Sequence, residues 1–224
     1  MKVFHEIEPK PVPLRLIDRL ANFSATGYVF NPWGDQDPLD IQADPAFERR
    51  VRLALHLHVN PKLLLIGEAP GYQGCHFSGV PFTNEKMLVD GLVPRIPKCG
   101  RITSRPKPFC EPSATIVWGA LRALGLAEHV VMWNAFAWHP HKPGLTIDKL
   151  HTNRAPNRLE LFGGSDVLRS VVEHFSGAAV LPVGRVAEKA LKQLKVNCMP
   201  AIRHPAMGGA TQFRGAMAEV AKRL

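Results

Sequence analysis

The sequence lacks any hydrophobic run of the roughly 18–20 residues that a membrane-spanning helix needs. It also lacks the apolar core of a secretory signal near its start, where Met1 to Glu6 mix charged and apolar residues. These two absences argue against a membrane partner and against export. We therefore expect a cytoplasmic protein.

Cysteine is scarce, at positions 75, 99, 110 and 198 only, and no two of these are spaced as CxxC. This spacing favours reduced thiols over a disulfide framework and gives no paired metal-finger motif. The histidine pairs His56/His58 and His139/His141 lack further ligands at metal-binding spacing, so we predict no metal site. Repeats, low-complexity tracts and clear linkers are absent too, and 224 residues then predict one domain over 1–224.

Positive charge is in excess, with 28 Lys and Arg against 19 Asp and Glu, a net charge of +9. Basic proteins gain free energy when they release counterions from a phosphate backbone, so this balance favours a polyanionic partner such as nucleic acid. A basic solvated surface without such a partner explains the same charge. Both interpretations stay open on charge alone.

Four short apolar segments predict β-strands, at 62–66, 129–133, 178–183 and 198–202. Helical patterns of ten or more residues separate them, as expected of parallel strands joined by crossover helices. The alternation predicts an α/β fold, namely a three-layer α/β/α sandwich with a central four-stranded parallel sheet.

The helix after Asp44 is predicted from an N-cap followed by Pro45 in the first turn. Its arginines, at 49, 50 and 52, are expected elsewhere than on the apolar face. The expected buried face comprises Phe47, Val51, Ala54 and Leu55.

Two segments are rich in proline and basic residues, at 94–112 and 139–158. The first holds five prolines and five Lys or Arg, which excludes a regular helix. We expect it to be a surface loop that faces phosphate.

The predicted strands end beside residues that carry chemistry, which are Gly67-Glu68, Asn134, Gly184-Arg185 and His204. Because the carboxyl ends of parallel strands lie along one edge of a sheet, an acid, an amide and an imidazole are expected to converge on one crevice there.

Each of these residues also has a simpler interpretation. Gly67 and Gly71 are typical of a strand-to-helix turn, and Asn134 is typical of a residue that hydrogen-bonds its own loop. A histidine before proline, as at His204, is often structural, and Phe82 after a proline often lies in a core.

Four segments, in this order along the chain, resemble the motifs of the uracil-DNA glycosylase superfamily. Gly67-Glu68-Ala69-Pro70-Gly71 with Gly79-Val80-Pro81-Phe82 is similar to its first motif, nearest the bacterial and archaeal iron–sulfur branch with a GEAPG motif. Trp133-Asn134 resembles the strand-end asparagine that reads the base. Leu181 to Ala187 is similar to the third strand and its helix, and His204-Pro205-Ala206-Met207 resembles the loop that completes the site. The resemblance covers about residues 60–215.

The resemblance implies an enzyme that flips uracil out of single- or double-stranded DNA. It would hydrolyse the N-glycosidic bond and act as a monomer, associated with a bacterial-type nucleoid through DNA. The implied catalytic residues are Glu68 and His204. The implied base-binding residues are Ala69, Phe82 and Asn134. The implied DNA-binding residues are Pro70, Gly71, Gly184, Arg185, Met207 and Arg214.

The chain departs from the family pattern in several places. The iron–sulfur branch has four ligating cysteines including a CxxC pair, which is missing here, so we predict no cluster and no other cofactor. An acidic pair usually follows the first motif, whereas this loop reads Tyr72-Gln73-Gly74-Cys75-His76. Gly71 stands where one branch has the tyrosine that excludes thymine, and Tyr72 or His76 are candidates to replace it. Ala69 cannot hold the attacking water, which leaves that task to Glu68. Gly208 and Gly209 follow Met207, so the family's leucine wedge is not reproduced.

Two other functions stay open. One is a non-catalytic DNA-binding module on the same fold, which holds uracil or an abasic product without turnover. The other is an unrelated α/β hydrolase or transferase that binds a small phosphorylated metabolite at the turn 67–71.

Overall fold

The computed structural model describes residues 10–24, 27–144 and 146–224. Met1 to Glu6, on which the export prediction depends, lie outside the described residues. Among the described residues no helix is long and apolar enough to cross a membrane.

Short strands and ten α-helices make up the regular structure of these residues. The strands are β1 (Val29–Phe30), β2 (Leu63–Gly67), β3 (Val130–Asn134), β4 (His139–Pro140) and β5 (Ala179–Pro182). The helices are α1 (Leu14–Ala21), α2 (Pro45–Leu57), α3 (Cys75–Ser78), α4 (Glu85–Asp90), α5 (Pro112–Ala123), α6 (Ile147–Leu150), α7 (Arg158–Gly163), α8 (Ser165–His174), α9 (Arg185–Gln193) and α10 (Ala210–Ala221).

The central sheet is parallel, with the order β3-β2-β5. Leu63 lies opposite Val130 on one side and Ala179 on the other, so the strands start and end nearly level. All five residues of β2 are buried, as expected of a central strand covered on both faces. The carboxyl ends of β2, β3 and β5 therefore meet at one edge of the sheet.

The fourth strand, predicted at 198–202, does not form in the structure. The segment runs beside β5, where the Met199 amide donates to Val180 O and the Ile202 amide donates to Pro182 O. The next rung of a parallel ladder would need an amide proton from residue 182, which is proline and has none. Pairing is thereby reduced to a single bridge between Val183 and Ile202, and the sheet has three strands.

Helices cover both faces of the sheet, which makes three layers. Leu64 and Ile66 pack in a core with α1, α2, α8 and α9. Leu63 and Leu65 point the other way, into a core with α4, α5 and α10. The three-layer α/β/α prediction is confirmed, apart from the number of strands.

The predicted buried face of α2 is wrong. Phe47 is 51% exposed, whereas Arg49 is 1% exposed. The Arg49 guanidinium is paired with Asp40 (Nη2 to Oδ2, 2.6 Å) and donates to Phe77 O and Pro32 O. A charge that is matched in this way can be buried, and helical periodicity alone cannot detect that match.

The segment 94–112 is irregular as predicted, but it is not simply a surface loop. Ile96, Ile102 and Phe109 are buried in the core beneath it. The buried carboxylate of Glu85 accepts hydrogen bonds from the amides of Ile102, Thr103 and Phe109 at 2.9–3.0 Å. This segment is therefore anchored to α4. The second basic segment, 139–158, contains β4 and α6.

Candidate functional site

The candidate site begins where β2 ends, at Gly67. A Cβ atom on Gly67 would lie 2.5 Å from Phe82 Cζ and 2.7 Å from Asn134 Oδ1. Only glycine permits this approach, so Gly67 does more than shape a turn: it brings an aromatic ring and an amide side by side. The chain then continues through Glu68, whose carbonyl accepts from the Phe136 amide at 3.0 Å.

Phe82 is presented by a tight turn after α3. Its φ is +51°, a left-handed conformation that costs a non-glycine residue about 1–3 kcal/mol and that clusters at functional sites. Ser78 Oγ fixes the turn, since it accepts from the Val80 amide and donates to Thr83 O at 2.8 Å. The ring is thus held beside the sheet edge by the turn's own hydrogen bonds.

Asn134 is the last residue of β3 and its side chain is 3% exposed. Its Nδ2 atom is buried and has no hydrogen-bond partner among the described residues. A buried amide left unpaired costs about 1–3 kcal/mol. An unpaired donor at a cavity wall is the arrangement expected of a group that binds a ligand.

His204 completes the site from the loop after the irregular segment beside β5. Its ring centroid is 6.2 Å from that of Phe82, and a Cβ on Gly184 would lie 3.7 Å from His204 Cβ. The Ala206 amide donates to His204 Nδ1 at 3.1 Å, so a neutral ring carries its proton on Nε2. Burial, with a smaller contribution from the positive charge of Arg203, lowers the pKa of His204 and favours this neutral form.

Glu68 lies partly buried at the same edge. Burial raises the pKa of its carboxyl group because removal from water disfavours the charged form. A carboxyl group in such surroundings is more basic than one in water, which suits a group that orients or deprotonates water.

These residues line a cavity of about 40 Å³, which shares several of its lining residues with an open groove of about 820 Å³. The cavity is lined by Glu68, Ala69, Pro70, Gly71, Cys75, Phe82, Glu111, Asn134 and His204. The structure thus brings together most of the predicted site residues. Met207 is 94% exposed on the groove wall. Arg185 and Arg214 are exposed and line neither the cavity nor the groove.

Sequence analysis missed Glu111, a second carboxyl group at the cavity. It directly precedes α5, with Pro112 in the first turn. Ser113 Oγ donates to Glu111 Oε1 at 2.6 Å. Glu111 belongs to the irregular segment 94–112, which carries no periodic pattern, and the one available signal was an acid just before a proline at a helix start.

Asp37, His76 and His151 are the one group of three potential metal ligands found among the described residues, within 4.8 Å of one another. Asp37 Oδ2 lies 2.9 Å from Nε2 of both histidines, and His76 Nδ1 lies 2.8 Å from Nδ1 of His139. These contacts are hydrogen bonds.

A family model described as the uracil DNA glycosylase superfamily matches residues 56–220. A search of curated protein sequences found no match. Among solved structures, the crystal structure of wild-type SMUG2 from Pedobacter heparinus is similar, with a TM-score of 0.61 and 16% sequence identity. The match covers 93% of this chain and 94% of that one, so the two chains share a fold over nearly their full lengths.

Proposed function

The chain belongs to the uracil DNA glycosylase superfamily, and from this premise we propose that it excises uracil from DNA. The reaction hydrolyses the N-glycosidic bond of a nucleotide flipped out of the DNA and leaves an abasic site. A base stacked in a duplex cannot reach a cavity at the sheet edge, which is why flipping is required.

The unpaired, buried Nδ2 of Asn134 is the observation that carries this proposal. A carboxamide offers one acceptor oxygen and one donor nitrogen side by side. Uracil presents the complementary pair, an N3–H donor next to the O4 acceptor. Cytosine has an acceptor at N3 and a donor at C4, so this amide orientation would reject it.

Phe82 would stack against the face of the flipped base. Stacking of a base on an aromatic ring contributes about 1–3 kcal/mol and is indifferent to sequence. The hydrogen bonds of the turn already hold Phe82 in place, so little ordering would remain to be done when the base enters.

His204 would act as a neutral hydrogen-bond donor. Bond cleavage leaves negative charge on the departing uracil, and Nε2–H of His204 would donate to its O2 as that charge develops. A donor fixed before the reaction stabilises the transition state without reorganisation. The contact from the Ala206 amide to Nδ1 fixes this tautomer.

Glu68 would stabilise the positive charge that develops on the sugar and orient the attacking water. Ala69 has no polar side chain for this task, and Glu68 lines both the cavity and the groove through which water enters. Its ionised form is the active one in both roles.

DNA is the proposed partner, bound by the monomer. The net charge of +9 favours a phosphate backbone. Pro70, Gly71 and Gly184 would present backbone groups to phosphates, and Met207 would fill the gap that the flipped base leaves. Arg185 and Arg214, exposed outside the groove, would contact more distant phosphates.

We propose that the protein holds no iron–sulfur cluster and acts in the cytoplasm. A cluster needs about four thiolates at one place. Cys75 and Cys198 pack with the core on one face of the sheet, Cys99 packs with the core on the other, and Cys110 is exposed. This dispersal does not fit a shared cluster.

The test is cleavage of a labelled oligonucleotide with one uracil, followed by alkali, which breaks the strand at abasic sites. We expect strand breaks at uracil and none at cytosine in the same context. The wild-type chain would be compared with Asn134→Ala. Uracil-dependent binding without abasic product would instead identify a non-catalytic module.

A further inference from the structure

Two residues of the loop after β2 have no side chain, Gly71 and Gly74, and the carboxyl group of Glu111 lies against both. A Cβ on Gly74 would overlap Glu111 Oε2. A Cβ on Gly71 would lie 3.5 Å from Asn153 Nδ2 and 3.7 Å from Glu111 Oε1. Glu111, directly before α5, thus supplies a side chain where the loop itself has none. The wall of the cavity at this point is a carboxyl group from a distant part of the chain.

Glu111 is held rigidly in this position. Ser113 Oγ donates to Oε1 at 2.6 Å, and Asn84 Nδ2 donates to the Glu111 carbonyl at 3.3 Å. Pro112 restricts the backbone immediately after it. A side chain fixed at both its backbone and its tip forms a wall of defined position.

The other side chains near the first motif are committed elsewhere. His76 is fully buried, and its two ring nitrogens contact Asp37 and His139 at 2.9 and 2.8 Å. Tyr72 packs its ring against Phe109 and His151, at 6.1 Å between centroids in each case. Neither Tyr72 nor His76 lines the cavity, whereas Glu111 does.

Given the proposed function, on which this inference rests, we propose that Glu111 determines which pyrimidine the cavity accepts. Its carboxyl group closes the pocket beside Gly71 and Gly74 and excludes a base with a methyl group on ring carbon C5. That methyl group is the one difference between uracil and thymine, so a wall in contact with C5 separates the two. Glu111 is in this sense a specificity residue and takes no part in bond cleavage.

The charge state of Glu111 agrees with such a role. Burial raises the pKa of its carboxyl group, against a smaller opposing effect of the hydrogen bond from Ser113. A higher pKa favours the neutral form of the carboxyl group, which does not repel the uracil anion that leaves after bond cleavage.

The decisive measurement is the ratio of thymine excision to uracil excision in one oligonucleotide context. Glu111→Ala should raise this ratio at least tenfold, since one methyl-sized group in a pocket is worth about 10- to 200-fold in discrimination. A series of 5-fluoro-, 5-bromo- and 5-methyluracil should show the largest gain for the bulkier substituents. Glu111→Gln, which keeps the size, should keep the wild-type ratio, and so should Gln73→Ala, which alters only the groove.

Glu111→Asp serves as a second variant if Glu111→Ala does not fold, because it withdraws the carboxyl group by one methylene. It should raise the ratio as well. An unchanged ratio in both variants overturns the inference, and so does loss of uracil excision in Glu111→Gln as well as Glu111→Ala, which would make Glu111 catalytic. Wild-type protein that cleaves no uracil refutes the proposed function separately. In that case the shift of the thermal midpoint by free uracil and by thymine still tests the wall: Glu111→Ala must gain thymine binding.

Discussion

Asn134 illustrates at the residue scale how the site is arranged before any base arrives. Its amide is buried with one nitrogen unpaired, at a cost of about 1–3 kcal/mol. Gly67 leaves room for its oxygen, and Phe82 beside it has a strained backbone. The folded protein thus holds these groups in place at a cost in free energy. A bound base would recover part of that free energy by pairing with Asn134.

Asn134→Ala should lower the single-turnover rate of uracil excision by about 100-fold or more, as expected when a preorganised polar group is removed. The same variant should be at least as stable as wild type, because it removes an unpaired buried donor. Excision rates and urea unfolding measure the two effects. A variant that excises uracil at the wild-type rate would remove Asn134 from base recognition.

The pKa shifts of Glu68 and His204 predict how the rate of excision depends on pH. The pKa of His204 is lowered from 6.5, so the ring stays neutral at a pH somewhat below the ordinary pKa of histidine. The pKa of Glu68 is raised above 4.5 by burial, so its carboxylate is lost at a higher pH than that of an ordinary glutamate. We therefore expect the rate to fall with a midpoint above pH 4.5.

Glu68→Gln should excise slowly and lose this acid limb. Single-turnover rates from pH 4 to 8 test this assignment. An acid limb of the same midpoint in Glu68→Gln would assign the titration to another group.

Segments between regular elements are, at the element scale, as well fixed as the strands. Glu85 in α4 accepts hydrogen bonds from Ile102, Thr103, Phe109 and Arg101, and so holds the segment that ends at Glu111. These bonds, with Thr103 Oγ1 and Arg101 foremost, lower the pKa of Glu85 although burial alone would raise it. Part of the cavity wall therefore depends on a carboxylate beneath it.

Glu85→Ala should lower the free energy of unfolding by about 3 kcal/mol or more, since it leaves several buried amides unpaired. Glu128→Ala is the matched control, because the Glu128 carboxylate is exposed and lies 3.8 Å from Arg95 Nη1. This control should change stability by less than about 0.5 kcal/mol. Equal effects in urea unfolding would contradict the anchoring role.

The strands were predictable to the extent that their residues were apolar in sequence. The buried run Leu63–Ile66 and its level partner Val130–Trp133 follow from hydrophobicity alone. The fourth strand does not form because Pro182 has no amide proton. The buried face of α2 differs from the predicted one because Arg49 is paired with Asp40. Long-range matches of this kind have no local pattern, and Glu111 was missed for the same reason.

At the scale of the whole molecule, the burial of histidine side chains makes stability depend on pH. His56 is fully buried, and its Nε2 accepts from the Met132 amide at 2.9 Å. Burial, and then the positive charge of Arg95, lowers the pKa of His56 to about 3 from 6.5. The unfolded chain therefore binds a proton between pH 6.5 and 3 that the folded chain does not.

Stability should accordingly fall as the pH drops below 6.5, by roughly 1.4 kcal/mol per pH unit for such a histidine. His56→Gln should reduce this slope, whereas His58→Gln, at an exposed position, should not. Urea midpoints from pH 7 to 4 provide the measurement. Equal slopes in the two variants would show that other groups cause the acid sensitivity.

The shared space of Gly74 and Glu111 has an evolutionary consequence. A side chain acquired at position 74 would collide with the tip of Glu111, so residue 111 must be shortened or displaced when residue 74 is enlarged. Divergence at these two positions should therefore be correlated. Where residue 111 is shortened first, the intermediate has neither side chain, and the proposed role of Glu111 predicts that it accepts a wider range of bases.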